Sequence, residues 1–290
     1  MIFVDNNSVD DSIKFLEEKY QDLLDIKIVK NDNNLGFAEG NNIGINNAKG
    51  EFILLLNNDT WVDSDFLEKI LFFYENNTFD LVAPYENDYK NENKKIYNVR
   101  IDLLGHPIYG HSSTSDKNFY LSGVCLLFRK ELYISTRGLD SGFFMYFEEN
   151  DWFWRLSLLK KTFIYVPGLY VHHAGAGTTG SGVKYNSFLW RNQNCLQMLL
   201  KNYKWFNLLW VLPVYILQNL FEILYFLFVL KPRVAFTYIE GWYFNLKNIK
   251  TILKKRKWVQ ENRLVGDWEI IRKMYIGFAK LHHLINFLKI

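Results

Sequence analysis

Short apolar runs alternate with helix-length amphipathic stretches through the first half of this chain, and the runs end in clusters of Asn and Asp. Residues 2–4, 26–29, 52–56 and 81–83 read as strands; 10–20, 38–48 and 64–74 read as helices between them. Alternation at this spacing predicts a parallel sheet covered on both faces. Residues 85–117 lose the rhythm and read as a polar excursion. Order returns with a strand in 119–128, a helix over 146–159 and a strand over 163–166, and from about Ser187 aromatic-rich helices run to Ile290. A chain of 290 residues accommodates one α/β domain and an appendage. The expected division is 1–186, with halves 1–84 and 85–186, and a helical region 187–290. There is no internal repeat.

Composition narrows the function classes. A formal net charge of only +3 gives no reason to expect a nucleic-acid partner. Cys125 and Cys195 lack metal-ligand spacing, so a reduced, cytosolic compartment is expected. No cleavable signal is expected before the first strand, because Met1-Ile2-Phe3-Val4 already reads as one. The 24 Phe, 18 Tyr and 9 Trp exceed the needs of a core and suggest a surface for sugars or for a membrane interface.

In an open α/β sheet, ligands bind beyond the carboxyl ends of the strands. Three polar clusters fall there: Asp5-Asn6-Asn7-Ser8, residues 33–42, and Asn57-Asn58-Asp59. Each alone is ordinary turn chemistry; three in phase with the strand order point to one site. Asp59 is placed to hold a divalent cation against a diphosphate, or else to cap the next helix. Farther on, Glu148, Glu149 and Asp151 crowd three carboxylates into four residues. On a helix Glu148 and Asp151 share a face while Glu149 points about 100° away. One acid can anchor the helix or the acceptor while another serves as general base; the alternative is a solvated helix N-terminus. His172 and His173 close a strand before a Gly-rich loop. A histidine there can complete a metal site, touch a phosphate, or make an ordinary hydrogen bond.

The order of these motifs resembles the family 2 glycosyltransferases of the GT-A fold, above all their rhamnosyltransferase-like branch. The resemblance rests on Val4-Asp5-Asn6-Asn7-Ser8-Val9-Asp10, on Asn34-Leu35-Gly36-Phe37-Ala38-Glu39-Gly40-Asn41-Asn42-Ile43-Gly44, on Leu55-Leu56-Asn57-Asn58-Asp59-Thr60, on residues 143–155, and on Val171-His172-His173. It covers about residues 1–200. It implies an α/β GT-A fold with a central, mostly parallel sheet and a helical C-terminal region. Family members carry one further strand upstream, so the sheet is expected to lack its first, central strand and to leave two inner edges unpaired.

The resemblance also implies an inverting glycosyltransferase of cell-wall or other polysaccharide biosynthesis. It would move a sugar, rhamnose among the candidates, from a dTDP- or UDP-linked donor to a glycan or lipid-linked acceptor, with Mg²⁺ or Mn²⁺. Asp5 would contact the base, with Asn7 and Ser8 beside it. Asn34, Gly36, Phe37, Gly40, Asn41 and Asn42 would line the nucleoside and diphosphate pocket. Asn57 and Asn58 would flank the metal ligand Asp59, and His173 would meet the metal or diphosphate. Glu149 stands where the family places an Asp as base, with Asp151 the alternative base and Glu148 beside them. Two other functions compete: a truncated, non-catalytic nucleotide-binding partner in a glycan-assembly complex, and a nucleotidyltransferase. The second would need a Gly-rich, Arg-containing N-terminal loop.

Residues 208–230 are long enough to cross a bilayer, but Gln218, Asn219 and Glu222 interrupt them on one helical face. Both flanks are basic, so the positive-inside rule draws both ends to the cytoplasm. An interfacial or re-entrant helix on the anionic cytoplasmic face of the cell membrane satisfies that rule. A buried bundle over the catalytic domain and a single span are the alternatives.

Overall fold

The computed structural model describes residues 1–20, 25–88, 95–96, 98–110, 118–174 and 185–280. The loop expected at 175–178 and the last ten residues of the C-terminal region lie outside these. The chain opens with β1 (Ile2–Asp5), α1 (Ser12–Tyr20), β2 (Lys27–Lys30), α2 (Gly36–Asn47), β3 (Phe52–Leu56), the two-residue β4 (Thr60–Trp61), α3 (Phe66–Glu75) and β5 (Leu81–Asp88). It continues through β6 (Lys95–Ile96), β7 (Asn98–Ile101), β8 (Pro107–Gly110), β9 (Cys125–Arg129), α4 (Lys130–Ser135), α5 (Glu148–Leu158) and β10 (Phe163–His173). The helices α6 (Tyr185–Asn202), α7 (Trp205–Phe228), α8 (Pro232–Lys247), α9 (Ile249–Asn262) and α10 (Asp267–Ile271) complete it.

The main sheet has the order β3-β9-β5-β10-β4, with β6 paired to β5. Strands β3, β5 and β10 run in one direction, as the alternation of strands and helices predicts. However, β9 runs antiparallel between β3 and β5, and β4 antiparallel beside β10, so the sheet is mixed. Strand β9 follows an irregular stretch instead of a crossover helix, which frees it from the parallel rule. Strands β1 and β2 form a separate parallel pair. Among the described residues, neither the far edge of β1 nor the outer edge of β3 carries a strand.

The sequence predicts a strand at 81–83 ending before Pro84, a strand at 163–166, and a strand closed by His172 and His173. The first runs on past Pro84 to Asp88, and the other two are one strand. Pro84 cannot donate a ladder hydrogen bond, and β5 meets β9 only at Leu81 and Val82. On the other side, β10 slips register between Tyr165 and Tyr170, where Gly168 takes φ +75°. The bulge therefore faces the one residue of β5 that cannot pair, and beyond it Tyr170–His173 pair with 85–88.

Alternation along β9 divides the interior. Cys125 and Leu127 face Phe66, Ile70 and Tyr74 of α3. Leu126 and Phe128 face the larger core, which holds α5 and residues of α6, α7 and α9. The helical region thus shares the core of the sheet. Trp154 of α5 is the joint: fully buried, it packs edge-on against Phe119 at 5.7 Å and Tyr203 at 4.8 Å.

Replacing Trp154 with Ala should cost about 3–5 kcal/mol in urea unfolding. Because the core is continuous, sheet and helical region should still unfold in one transition followed by circular dichroism and Trp fluorescence.

Candidate active site

Chain reversal after β3 builds the first part of the site. Asn57 donates its backbone N–H to Val124 at 2.9 Å, and the Thr60 hydroxyl donates to the Asn57 carbonyl at 2.5 Å. Thr60 and Trp61 then pair with His173 and His172, and the Ala174 N–H donates to the Asp59 carbonyl at 2.9 Å. This clamp sets Asp59 Oδ1 3.2 Å from His173 Nε2. On the opposite side of the ring, His173 Nδ1 lies 2.7 Å from Glu86 Oε1, while Glu86 Oε2 accepts from the Ser122 hydroxyl at 2.9 Å. The Glu86 hydrogen bond, with Asp59 adding to it, raises the His173 pKa against the effect of partial burial. A proton on Nδ1 directed at Glu86 leaves Nε2 and Asp59 facing one point.

That point suits a divalent cation: one carboxylate oxygen and one imidazole nitrogen, with the imidazole oriented from behind by a carboxylate. Glu86 cannot be a third ligand because it holds the far side of the ring. Among the described residues, no three His, Cys, Asp or Glu side chains form a metal site by themselves. The remaining coordination would fall to water and substrate oxygens.

The acid helix enters from the other half. Tyr146 and Phe147 adopt left-handed conformations, φ +72° and +70°, which non-glycine residues rarely take and which mark functional turns. Asn194 of α6 holds this turn by donating to the carbonyls of Met145 and Tyr146 at 2.9 and 2.8 Å. The turn also touches the Gly-rich loop, where Phe37 donates its N–H to the Phe144 carbonyl at 2.8 Å. Gly36, at φ +83°, sits so close that a Cβ would lie 2.2 Å from that carbonyl oxygen. Only glycine fits there on both counts. The Gly36 to Asn42 segment is thereby locked to the acids of α5.

Glu148 and Glu149 share a hydrogen bond. Burial drives both pKa values up, that of Glu148 furthest, with the Glu149 charge adding to it. Of the two, Glu148 is the one that holds a shared proton more tightly, and its Oε2 has no partner. Glu149 reaches the site: its Oε1 lies 3.4 Å from where a Cβ on Gly123 would stand, and Phe37 borders the same glycine. Asp59, His173, Glu86, Gly123, Phe37 and Glu149 thus converge.

Asp151 goes elsewhere. It is fully buried and accepts from Arg155 Nε at 2.9 Å, Lys201 Nζ at 3.0 Å and Asn202 Nδ2 at 2.9 Å. Lys201 and Lys255 both contact Asp140, and they outweigh burial to hold that carboxyl far below the usual range. As a base, Asp151 is ruled out by this cage: no face of it is left for a substrate proton.

The nucleotide-side candidates divide similarly. Asp5 caps its own turn, accepting from the Ser8 N–H at 2.9 Å, and Asn7 takes φ +64°. Asn34 accepts from the Gly36 N–H at 3.0 Å and so shapes the loop. Asn41 bonds back to the Phe37 carbonyl at 2.9 Å. Asn42 is an internal tie, bonded to Glu39, the Leu139 carbonyl and Tyr133. Asn58 is exposed beside Asp59, and Gly40 lets α2 approach Asn6, whose Nδ2 a Cβ would meet at 2.9 Å.

Sequence reasoning missed Glu86 and the Ser122-Gly123 pair, and gave Asn6 no role of its own within its polar cluster. Asn6 donates to the Gly36 carbonyl at 2.9 Å and accepts from Asn31 at 2.8 Å, tying β1 to the loop. Glu86 lies just past Pro84, where the strand was expected to have ended.

A sequence model of glycosyl transferase family 2 matches residues 1–136. Among curated proteins, no sequence matches the chain. Solved structures share its fold, two of them as follows. GalNAc-T7 with UDP, GalNAc and Mn²⁺ gives a TM-score of 0.54 at 13% identity, over 69% of this chain and 41% of that one. Residues 1–349 of S. aureus TarS with UDP-GlcNAc give 0.51 at 16%, over 69% of this chain and 57% of that one. The chain thus spans about two-fifths and somewhat over half of these two. The fold is the α/β GT-A fold.

Replacing Asp151 with Asn should act on stability. It leaves Arg155 and Lys201 short of a counter-charge in the interior, at a cost of about 3–5 kcal/mol. Chemical denaturation should register the loss, and nucleotide affinity of the still-folded fraction should stay near that of the parent.

Proposed function

We propose that the protein transfers a glycosyl group from a nucleotide-diphosphate sugar to an acceptor hydroxyl with inversion. The observation that carries this reading is the placement of Glu149, raised by burial and set beside the Glu86–His173–Asp59 chain at the strand ends. The family 2 sequence match and the two fold neighbours, whose structures hold UDP or UDP-GlcNAc, support it. A rhamnosyl donor and a glycan or lipid-linked acceptor rest on the sequence resemblance alone.

In this mechanism Glu149 takes the proton from the acceptor hydroxyl. The hydroxyl oxygen bonds to the anomeric carbon from the face opposite the diphosphate. The bond from that carbon to the phosphate oxygen breaks, and the nucleoside diphosphate leaves with its electron pair. Asp59 and His173 would hold a Mg²⁺ or Mn²⁺ ion, which neutralises charge on the leaving group. Glu86 fixes the His173 ring so that Nε2 faces that position. Glu148, neutral through its retained proton, donates to Glu149 and steadies the anionic form that a base requires. Phe37 and Gly123 border Glu149 on the side of the site.

Two expectations test these roles. Asp59→Asn should abolish the gain in nucleoside-diphosphate affinity that Mg²⁺ or Mn²⁺ gives, read by calorimetry with and without the ion. Equal cation dependence in parent and variant would remove Asp59 from the metal, and failure of the parent to bind any nucleoside diphosphate would sink the whole reading.

Glu149→Gln should cost roughly 10²–10⁴-fold in turnover while donor binding persists. Glu148→Gln, which replaces one neutral donor by another, should be mild. The sign of the pH dependence follows from the raised Glu149 pKa. The base works only when deprotonated, so kcat/KM should rise with pH through an apparent pKa above the usual carboxylate range. Comparable losses in the two variants would take Glu149 out of the base role.

A further inference from the structure

We propose that the outer face of α7 and α8 docks flat on an anionic lipid bilayer, independently of what the active site does. Helix α7 has 24 residues and is long and apolar enough to cross a membrane. Its contacts with the protein say that it lies along the molecule. Leu208, Val211, Tyr215 and Asn219 form one buried stripe at helical spacing. The polar residues that interrupt the apolar run all turn to that side. Gln218 Nε2 lies 3.2 Å from His106 Nε2 and donates to Glu222 at 2.9 Å. Glu222 also accepts from the Tyr238 hydroxyl of α8 and from Lys280 at 2.8 Å. A crossing helix would have to pull this carboxylate and its lysine apart and carry a charge into hydrocarbon, which costs several kcal/mol.

The opposite side is apolar and uncovered. Leu209, Leu217, Phe221, Leu224 and Phe228 are each between 65% and 86% exposed. On α8, Phe236, Ile239, Tyr243 and Leu246 continue the apolar surface at intervals of three and four residues. Such a patch marks an interaction surface.

Charge selects the occupant. Exposed Lys204 precedes α7, Lys231 and Arg233 sit at its junction with α8, and Lys247, Lys250, Lys254 and Lys257 follow. Residues 204–257 hold nine basic and two acidic side chains, a net +7, so the rest of the chain carries −4 against the total of +3. Of the two acids, Glu222 is turned inward and Glu240 accepts from the Tyr185 hydroxyl. An apolar face bracketed by cations suits lipid chains beneath anionic headgroups. A second copy of this chain would bring the same positive charge and be repelled.

The test uses the full chain with vesicles of phosphatidylcholine alone or with phosphatidylglycerol, at low and high salt. Cosedimentation should require the anionic lipid and weaken as salt rises. Changing Lys250, Lys254 and Lys257 to Gln should weaken partitioning about a hundredfold. Phe221→Lys should abolish it while circular dichroism and nucleoside-diphosphate binding stay as in the parent. Retention in vesicles through alkaline carbonate would overturn the proposal in favour of a span. Absence of vesicle binding together with a concentration-dependent dimer that Phe221→Lys dissolves would overturn it in favour of self-association. Indifference to both lipid charge and Phe221→Lys would overturn it outright.

Discussion

The site depends on a single irregularity shared by two strands. Pro84 interrupts the ladder of β5, and β10 answers with a bulge between Tyr165 and Tyr170 instead of ending. Past that point the parallel pairing resumes and sets 85–88 beside Tyr170–His173. Glu86 and His173 are brought within 2.7 Å by this renewed pairing, and β4 brings Asp59 to the other side of the same ring. Ending either strand at its proline would leave the imidazole without its orienting carboxylate.

Strands and helices of the first 84 residues were legible because their apolar periods are clean and their ends carry Asn, Asp and Gly. Asp59, His173 and Glu149 stood out in the sequence for a related reason: each is polar at an abrupt end of an apolar run. Glu86 was not, because Pro84 reads locally as a stop and only the tertiary pairing with β10 overrides it. The direction of β9 was equally hidden, since an antiparallel insertion leaves no mark on the hydrophobic pattern of Cys125–Arg129. Asp151 misled for a different reason. Its sequence neighbours make it one acid among three, whereas its counter-charges Arg155 and Lys201 come from a later turn of the helix and from α6.

Burial then separates the three acids into different tasks. Asp151 is taken up by its pairs with Arg155 and Lys201. Glu148, enclosed and next to another carboxylate, has its pKa pushed furthest up. Glu149, largely buried beside Gly123 and Phe37, is the acid of the three that borders the proposed site. A run of three acids is thus resolved by what each meets: a cation cage, a carboxylate neighbour, or the proposed site.

The same helices that carry the apolar outer face also hold the acids in place. Lys201 and Asn194 belong to α6, and Lys255 to α9, so Asp140, Asp151 and the Met145–Tyr146 turn are fastened from the C-terminal region. Helix α6 in turn packs against α8, with Asn192 bonded to Thr237 at 2.9 Å and Asn245 to the Gln193 carbonyl at 2.9 Å. The helical region is better understood as the rear wall of the sheet's core than as an appendage added to it. Its outer face can meet a surface without loosening the site because its inner face is fixed by polar contacts, which tolerate little sliding.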